Sequence, residues 1–243
     1  MFYHELARHI DGDSGLDQIM REEGPRFLYR LGIALSESGR FKDAVRVFEY
    51  IVAMEPQTVD EWLDVARYYI YKEDYERLET VMDRAVRAMP DSTEIYLFWG
   101  TALERANRYE QAIQVYIRGL DRHPEEMELH LFWGLALEQQ RRWPEALSVY
   151  GKGLEIDPRH PDFHLRWGIV LTKQDRWEEA LARYDRAAQL DSLSADLFLH
   201  WGLALQRLRR WEGAVNKLER ASELDHDDTR GLFYLGSCLE LAS

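Results

Sequence analysis

Four stretches of the chain read almost alike. YLFWGTALERANRYEQAI starts at Tyr96, HLFWGLALEQQRRWPEAL at His130, HLRWGIVLTKQDRWEEAL at His164 and FLHWGLALQRLRRWEGAV at Phe198, each 34 residues after the last. A fixed period of that length constrains the fold more than any other feature, because one copy is too small to bury its own apolar face and has to stack on neighbours. Counted from Pro25, units run 25–58, 59–92, 93–126, 127–160, 161–194 and 195–228, with a half unit 229–243 behind them and a segment 1–24 ahead. The eighth place of a unit holds Gly32, Ala66, Gly100, Gly134, Gly168, Gly202 and Gly236, and the twentieth holds Ala44, Leu78, Ala112, Ala146, Ala180 and Ala214. Large residues fill the twenty-fourth, with Phe48, Met82, Tyr116, Tyr150, Tyr184 and Leu218, and Pro56, Pro90, Pro124 and Pro158 close the first four units.

Each unit contains helical spacing twice. In the fourth, Leu131, Trp133 and Leu137 recur as one apolar stripe, and Trp143, Ala146, Leu147 and Tyr150 as another. Polar turns such as EQQRR and EIDPRHPD separate the two, and Pro144 and Pro161 suit a first helical turn, where the missing N–H is not needed. No strand-like alternation occurs, so the fold class is all-α, two helices to a unit. A glycine in mid-helix costs roughly 1 kcal/mol relative to alanine. Its recurrence at the eighth place therefore predicts a close approach of another element.

Composition narrows the function. A formal charge of −13 and a pI near 5.1 disfavour the counterion-releasing contact that nucleic acid requires. His4, Glu5, Arg8 and Asp11 interrupt the apolar residues of the amino terminus, and no apolar run approaches ~18 residues, so neither a signal peptide nor membrane insertion is expected and the chain reads as cytoplasmic. Cys238, the lone cysteine, leaves no internal disulfide.

The period and its columns resemble the tetratricopeptide repeat (TPR), a helix–turn–helix unit, over roughly residues 25 to 243. The resemblance implies a right-handed superhelical solenoid of antiparallel helix pairs, with the first helix of each unit lining a concave ligand groove and segment 1–24 docked as helix on the first unit. The chain departs from the pattern at the fourth place, where the expected tryptophan is present only as Trp62 and gives way to Leu28, Tyr96, His130, His164, Phe198 and Leu232. Tryptophan stands instead at the seventh place, as Trp99, Trp133, Trp167 and Trp201. By the resemblance these are core residues facing the small twenty-seventh column of Gly119, Gly153, Ala187 and Ala221, with Trp133 against Gly153.

The fifth place would face the groove. It reads Tyr29, Leu63, Leu97, Leu131, Leu165, Leu199 and Phe233, and Leu135, Ile169 and Leu203 lie one turn on, an apolar ladder. Acids occupy the second place, as Asp60, Glu94, Glu128, Asp162 and Asp196, bracketed by Arg26 and Arg230. Contiguous exposed apolar surface marks a binding site in a soluble protein, so the expected ligand is an apolar, partly basic protein or peptide segment. Alternatively the ladder is filled by the chain's own amino-terminal segment or by a second copy. Family members that clamp chaperone tails use lysines and asparagines on the first helices. Here the column is leucine, and Asn107 and Asn216 lie elsewhere.

The remaining candidates read as structure. Arg40, Arg108, Arg142, Arg176 and Arg210, with Arg141 and Arg209 beside them and Asp74 the exception, follow the first helices, where cations complement the helix dipole, and the acids Glu110, Glu145, Glu178, Glu179 and Glu212 open the next. His160 and His164 have metal-ligand spacing, but Pro161 sets His160 at the helix start, so no metal is expected. No phosphate loop, nucleophile elbow or carboxylate pair is present, and neither catalysis nor a cofactor is expected. The function expected is that of a noncatalytic interaction scaffold, adaptor or assembly chaperone. A regulatory or docking region of a larger enzyme is a second reading. A third is a structural protein whose copies associate through the amino-terminal segment or the carboxyl-terminal half unit, where Leu232, Phe233, Leu235 and Leu239 read as exposed.

Overall fold

The structure, a computed structural model, describes residues 2–10, 12–227 and 229–242. Met1, Asp11, Asp228 and Ser243, which figure in the ranges and charges above, lie outside it. The described residues form fifteen helices and no strand. They gather into two compact units, one ending at Arg105 and the other beginning at Ala106, a division inside the third 34-residue repeat.

The first unit contains α1 (Phe2–His9), α2 (Gly12–Glu22), α3 (Pro25–Glu37), α4 (Phe41–Ala53), α5 (Val59–Tyr71), α6 (Tyr75–Ala88) and α7 (Thr93–Arg105). Segment 1–24 is thus a short helix pair, and it docks on the first repeat. Tyr3 meets Phe27 edge to face at 5.2 Å, and Arg40 donates to the carbonyls of Ala7 and Ile10 at 2.8 and 3.3 Å, satisfying the end of α1. Arg46 on α4 reaches Asp13 and Asp17 on α2 at 2.5 and 2.8 Å.

The second unit contains α8 (Tyr109–Leu120), α9 (Met127–Gln139), α10 (Trp143–Ile156), α11 (Pro161–Lys173), α12 (Trp177–Leu190), α13 (Ala195–Arg207), α14 (Trp211–Leu224) and α15 (Thr229–Ala242). Within a repeat the glycine of the first helix receives the large residue of the second. A Cβ on Gly134 would lie 2.0 Å from Tyr150, one on Gly168 2.5 Å from Tyr184, and one on Gly202 2.7 Å from Leu218; in the first unit Gly32 meets Phe48 at 2.7 Å. Burying such a side chain contributes about 1.5 to 3 kcal/mol, which outweighs the cost of a helical glycine. Gly236, on the last of the described helices, has nothing within 4 Å.

The turn between the helices of a repeat is closed by one residue in the left-handed region. Gly39 has φ +80°, and Glu73, Asn107, Arg141, Asp175 and Arg209 take the same place with φ between +56° and +58°. In most repeats an arginine stands at the N-cap of the next helix without a side-chain cap hydrogen bond, Asp74 taking that place before α6. The arginine pairs three residues on, as Arg40 with Asp43 at 2.7 Å, Arg142 with Glu145 at 2.6 Å and Arg176 with Glu179 at 2.7 Å. Arg142 also reaches Glu110 at 2.9 Å, and Arg210 reaches Glu178 at 2.7 Å, linking successive repeats.

The fourth-place histidines replace the expected tryptophan with a staple. His130 Nε2 lies 2.9 Å from the Pro124 carbonyl, and His164 Nε2 3.0 Å from that of Pro158, so each ring donates to the turn that enters its own helix. Both rings are buried. Burial holds their pKa values below the ordinary histidine range, and the neutral ring keeps its N–H on the carbonyl.

The expected large–small pairing needs correction. A Cβ on Gly153 would meet the ring of Phe163 at 2.5 Å, not Trp133. The seventh-place tryptophans of the second unit are half-buried rather than core, and each carries a cation on its face: Lys152 over Trp133 at 5.5 Å, Arg183 over Trp167 at 4.1 Å and Lys217 over Trp201 at 3.9 Å. Trp99, in the first unit, is buried as expected.

Candidate functional site

The first helices of the repeats carry the ladder and its acids, so the two decide what a groove could bind. Four of its members are closed to solvent. Leu63, Leu165, Ile169 and Leu199 are only 2, 6, 5 and 3% exposed, and the last three belong to the packing around Tyr184 and Leu218. A continuous exposed ladder is therefore not what the fold presents. The cause is that Leu165 and Ile169 sit on a helix whose other apolar residues, Phe163, Val170 and Leu171, are also buried, so α11 is sunk on nearly every side. Leu97, Leu131, Leu135 and Leu203 remain half-buried. In the second unit the usable apolar surface is thus Leu131 and Leu135 on α9 and Leu203 on α13.

The acids stay at the surface. Glu94, Glu128 and Asp162 are exposed in the first turns of their helices, where they complement the positive pole. Asp196 is half-buried, 3.6 Å from His200 Nε2. Burial lowers the His200 pKa, Asp196 opposes this, and the nearby charges of Arg166, Lys173 and Arg230 add to it.

One half-buried acid was not anticipated from the sequence. Glu138, at the end of α9, accepts a hydrogen bond from the Tyr150 hydroxyl, and burial pushes its carboxyl above the usual carboxylate range. It holds the tyrosine that fills the Gly134 socket. Its signal was an acid at the twelfth place, opposite a tyrosine at the twenty-fourth of the same repeat.

The carboxyl-terminal half unit presents what the sequence led one to expect. Leu232, Phe233 and Leu239 are 50, 71 and 51% exposed on α15 around the vacant Gly236, and Leu235 is half-buried. His164, a partner in the weighed zinc pair, has its Nε2 engaged by Pro158. Among the described residues no group of three or more His, Cys, Asp or Glu is placed to hold a metal ion, and no helix is long and apolar enough to cross a membrane.

Comparison with known proteins follows this geometry. The family profile described as tetratricopeptide repeat matches residues 29–93, 97–161 and 133–195. No curated protein sequence matches. Among solved structures, the chain is similar to that of YrrB, described as a TPR protein with an unusual peptide-binding site, at 18% identity and a TM-score of 0.55, over 77% of this chain and 96% of that one. It is similar to the crystal structure of MamA at 15% identity and a TM-score of 0.57, over 68% and 96%. MamA from Desulfovibrio magneticus RS-1 aligns at 16% identity and a TM-score of 0.57, over 72% and 98%. At these identities the likeness shows the fold alone.

Proposed function

Because the chain belongs to the tetratricopeptide repeat family, whose stacked helix pairs serve as protein-interaction scaffolds, we propose that its second unit binds an apolar, partly basic peptide segment across α9, α11 and α13, without catalysis. The observation that carries the reading is the half-buried set Leu131, Leu135 and Leu203, bordered by the carboxylates of Glu128, Asp162 and Asp196. Leucines that retain solvent contact gain by a second burial, and the acids select lysine or arginine beside the apolar anchor. YrrB, a structural neighbour described by its peptide-binding site, lends the reading support at the level of the fold. In the first unit Leu97 and Glu94 are the corresponding pair.

The test is selection from a random peptide library on the immobilised protein. A consensus of apolar residues with lysine or arginine, lost in a Leu131→Asp, Leu203→Asp variant that keeps its helical spectrum, is the expected outcome. Peptides lacking basic residues, or binding that the variant leaves intact, would exclude the groove. Leu165→Arg, by contrast, tests stability rather than binding, because that leucine is buried.

Association of copies is a second reading, favoured by the apolar face of α15 around Gly236. Phe233→Glu would then lower the sedimentation coefficient at high protein concentration. An unchanged coefficient would remove this reading.

A further inference from the structure

Beside α15 the second unit holds an open cavity of about 830 Å³ that meets the leucine groove at Leu203 and otherwise lies outside it. Lys173 from the last turn of α11, Arg207 from the last turn of α13 and Arg209 from the turn that follows all line it. Among the described residues these three side chains pair with no carboxylate, whereas Arg176 and Arg210, close by in sequence, are each neutralised by a glutamate. Trp177, Trp211 and Tyr234 supply aromatic wall, and no lining residue is acidic. Two acids lie near its rim and are both engaged: Asp196 is 3.6 Å from His200, itself a lining residue, and Glu138, which feels the charge of Lys173, accepts from Tyr150. Burial is the main cause of the lowered His200 pKa; Asp196 opposes it, and the charges of Arg166, Lys173 and Arg230 add to it.

Such a concentration of unneutralised positive charge is unexpected in a chain of net charge −13. The helix dipole explains one cation in a last turn. It does not explain Arg209, beyond the helix, or the gathering of three cations around two indoles without an acid. We propose that this cavity is a second recognition subsite, of charge preference opposite to the leucine groove, that receives an acidic peptide segment in which an aromatic or large aliphatic side chain stands beside glutamate or aspartate. The apolar side chain packs on Trp177 and Trp211, and the flanking carboxylates meet the guanidinium groups of Arg207 and Arg209, which can bind them in bidentate fashion. Lys173 adds a point charge from α11. The subsite borders the leucine groove at Leu203 and is distinguished from it by its cations and indoles, none of which the groove contains.

The experiment uses the full chain and two labelled peptides, one of two glutamates, a phenylalanine and two glutamates, the other with glutamine for every glutamate, read by fluorescence anisotropy and by quenching of tryptophan emission. The acidic peptide is expected to bind, to weaken as salt rises, and to lose about tenfold or more in affinity to an Arg207→Glu, Arg209→Glu variant, because like charges across a contact repel. Both arginines are exposed, so the fold is kept. A Lys173→Glu variant, on α11, gives the same loss, and Arg220→Glu, at a paired arginine on α14, gives none. Equal binding of the glutamine peptide, or affinity unchanged by either reversal, would overturn the proposal. So would binding of inorganic pyrophosphate without binding of the acidic peptide, which would make the cavity a small-anion site.

Discussion

Placing a single methyl group in the Gly134 socket tests the packing on which every repeat depends. In Gly134→Ala the new Cβ lies 2.0 Å from Tyr150 Cε1 and 2.5 Å from its Cζ, about 1.5 Å inside ordinary carbon–carbon contact. Tyr150 is fully buried, and its hydroxyl is bound by Glu138, so the ring cannot swing aside without losing both. Overpacking costs about 1 to 3 kcal/mol, and alanine returns about 1 kcal/mol of helix propensity. The severity of the overlap places the cost in the upper part of that range, for a net loss of about 1 to 2 kcal/mol. Urea unfolding with an unchanged slope and a lowered midpoint is the expected result. In a Tyr150→Leu background the same alanine should cost less, since Leu218 already faces Gly202 in that way. Gly213→Ala is the control of opposite sign: its nearest neighbour, Leu205 Cδ1, is at 3.4 Å, and a gain of up to about 1 kcal/mol is expected. If Gly134→Ala matched the parent in stability, or cost as much beside leucine as beside tyrosine, the socket argument would fail.

The other predictions concern turns, protons and the amino-terminal pair. Arg141→Gly and Asp175→Gly relieve a left-handed backbone and should each raise the denaturation midpoint, by roughly 0.5 to 1 kcal/mol once the flexibility of glycine is set against the strain. The folded-state pKa values of His130 and His164 are lowered, so the unfolded chain binds more protons. Stability should be full above about pH 6.5, near the unfolded value, and decline as pH falls from there through the folded-state values. His164→Phe, which copies Phe198, should flatten that decline in a midpoint-versus-pH series. Arg40→Ala removes the donor to the Ala7 and Ile10 carbonyls, and should speed hydrogen exchange of α1 while leaving the global midpoint nearly unchanged.

The period made the helix pairs and their turns readable before any coordinates, because small and large residues recur at fixed places and the prolines mark where units close. The direction in which side chains face was harder. Trp133 looked like core by its bulk, yet an indole can lie on a surface under a lysine, and Lys152 does cover it. The partner of Gly153 was visible in one comparison not drawn from sequence, that Phe163, at the third place of the following repeat, falls next to it. The leucine ladder failed at Leu165 because α9 and α11 are apolar on several sides at once, so no stripe singles out the solvent face. The basic cavity was illegible for a different reason. Lys173, Arg207 and Arg209 are scattered among arginines that do pair with acids, and only the fold separates the neutralised from the bare.

Within a repeat, the socket in which a large side chain enters the first-helix glycine joins residues only sixteen positions apart, Gly134 with Tyr150, Gly168 with Tyr184 and Gly202 with Leu218. A chain emerging from the ribosome can therefore shut each hairpin as soon as its second helix clears the exit tunnel, without waiting for any later segment. Such short loops close quickly, and the low mean separation of contacts favours rapid folding. The unshut length of nascent chain never needs to exceed about one repeat. A chain halted partway through synthesis would carry finished hairpins up to the point of arrest, with one open glycine face at its growing end.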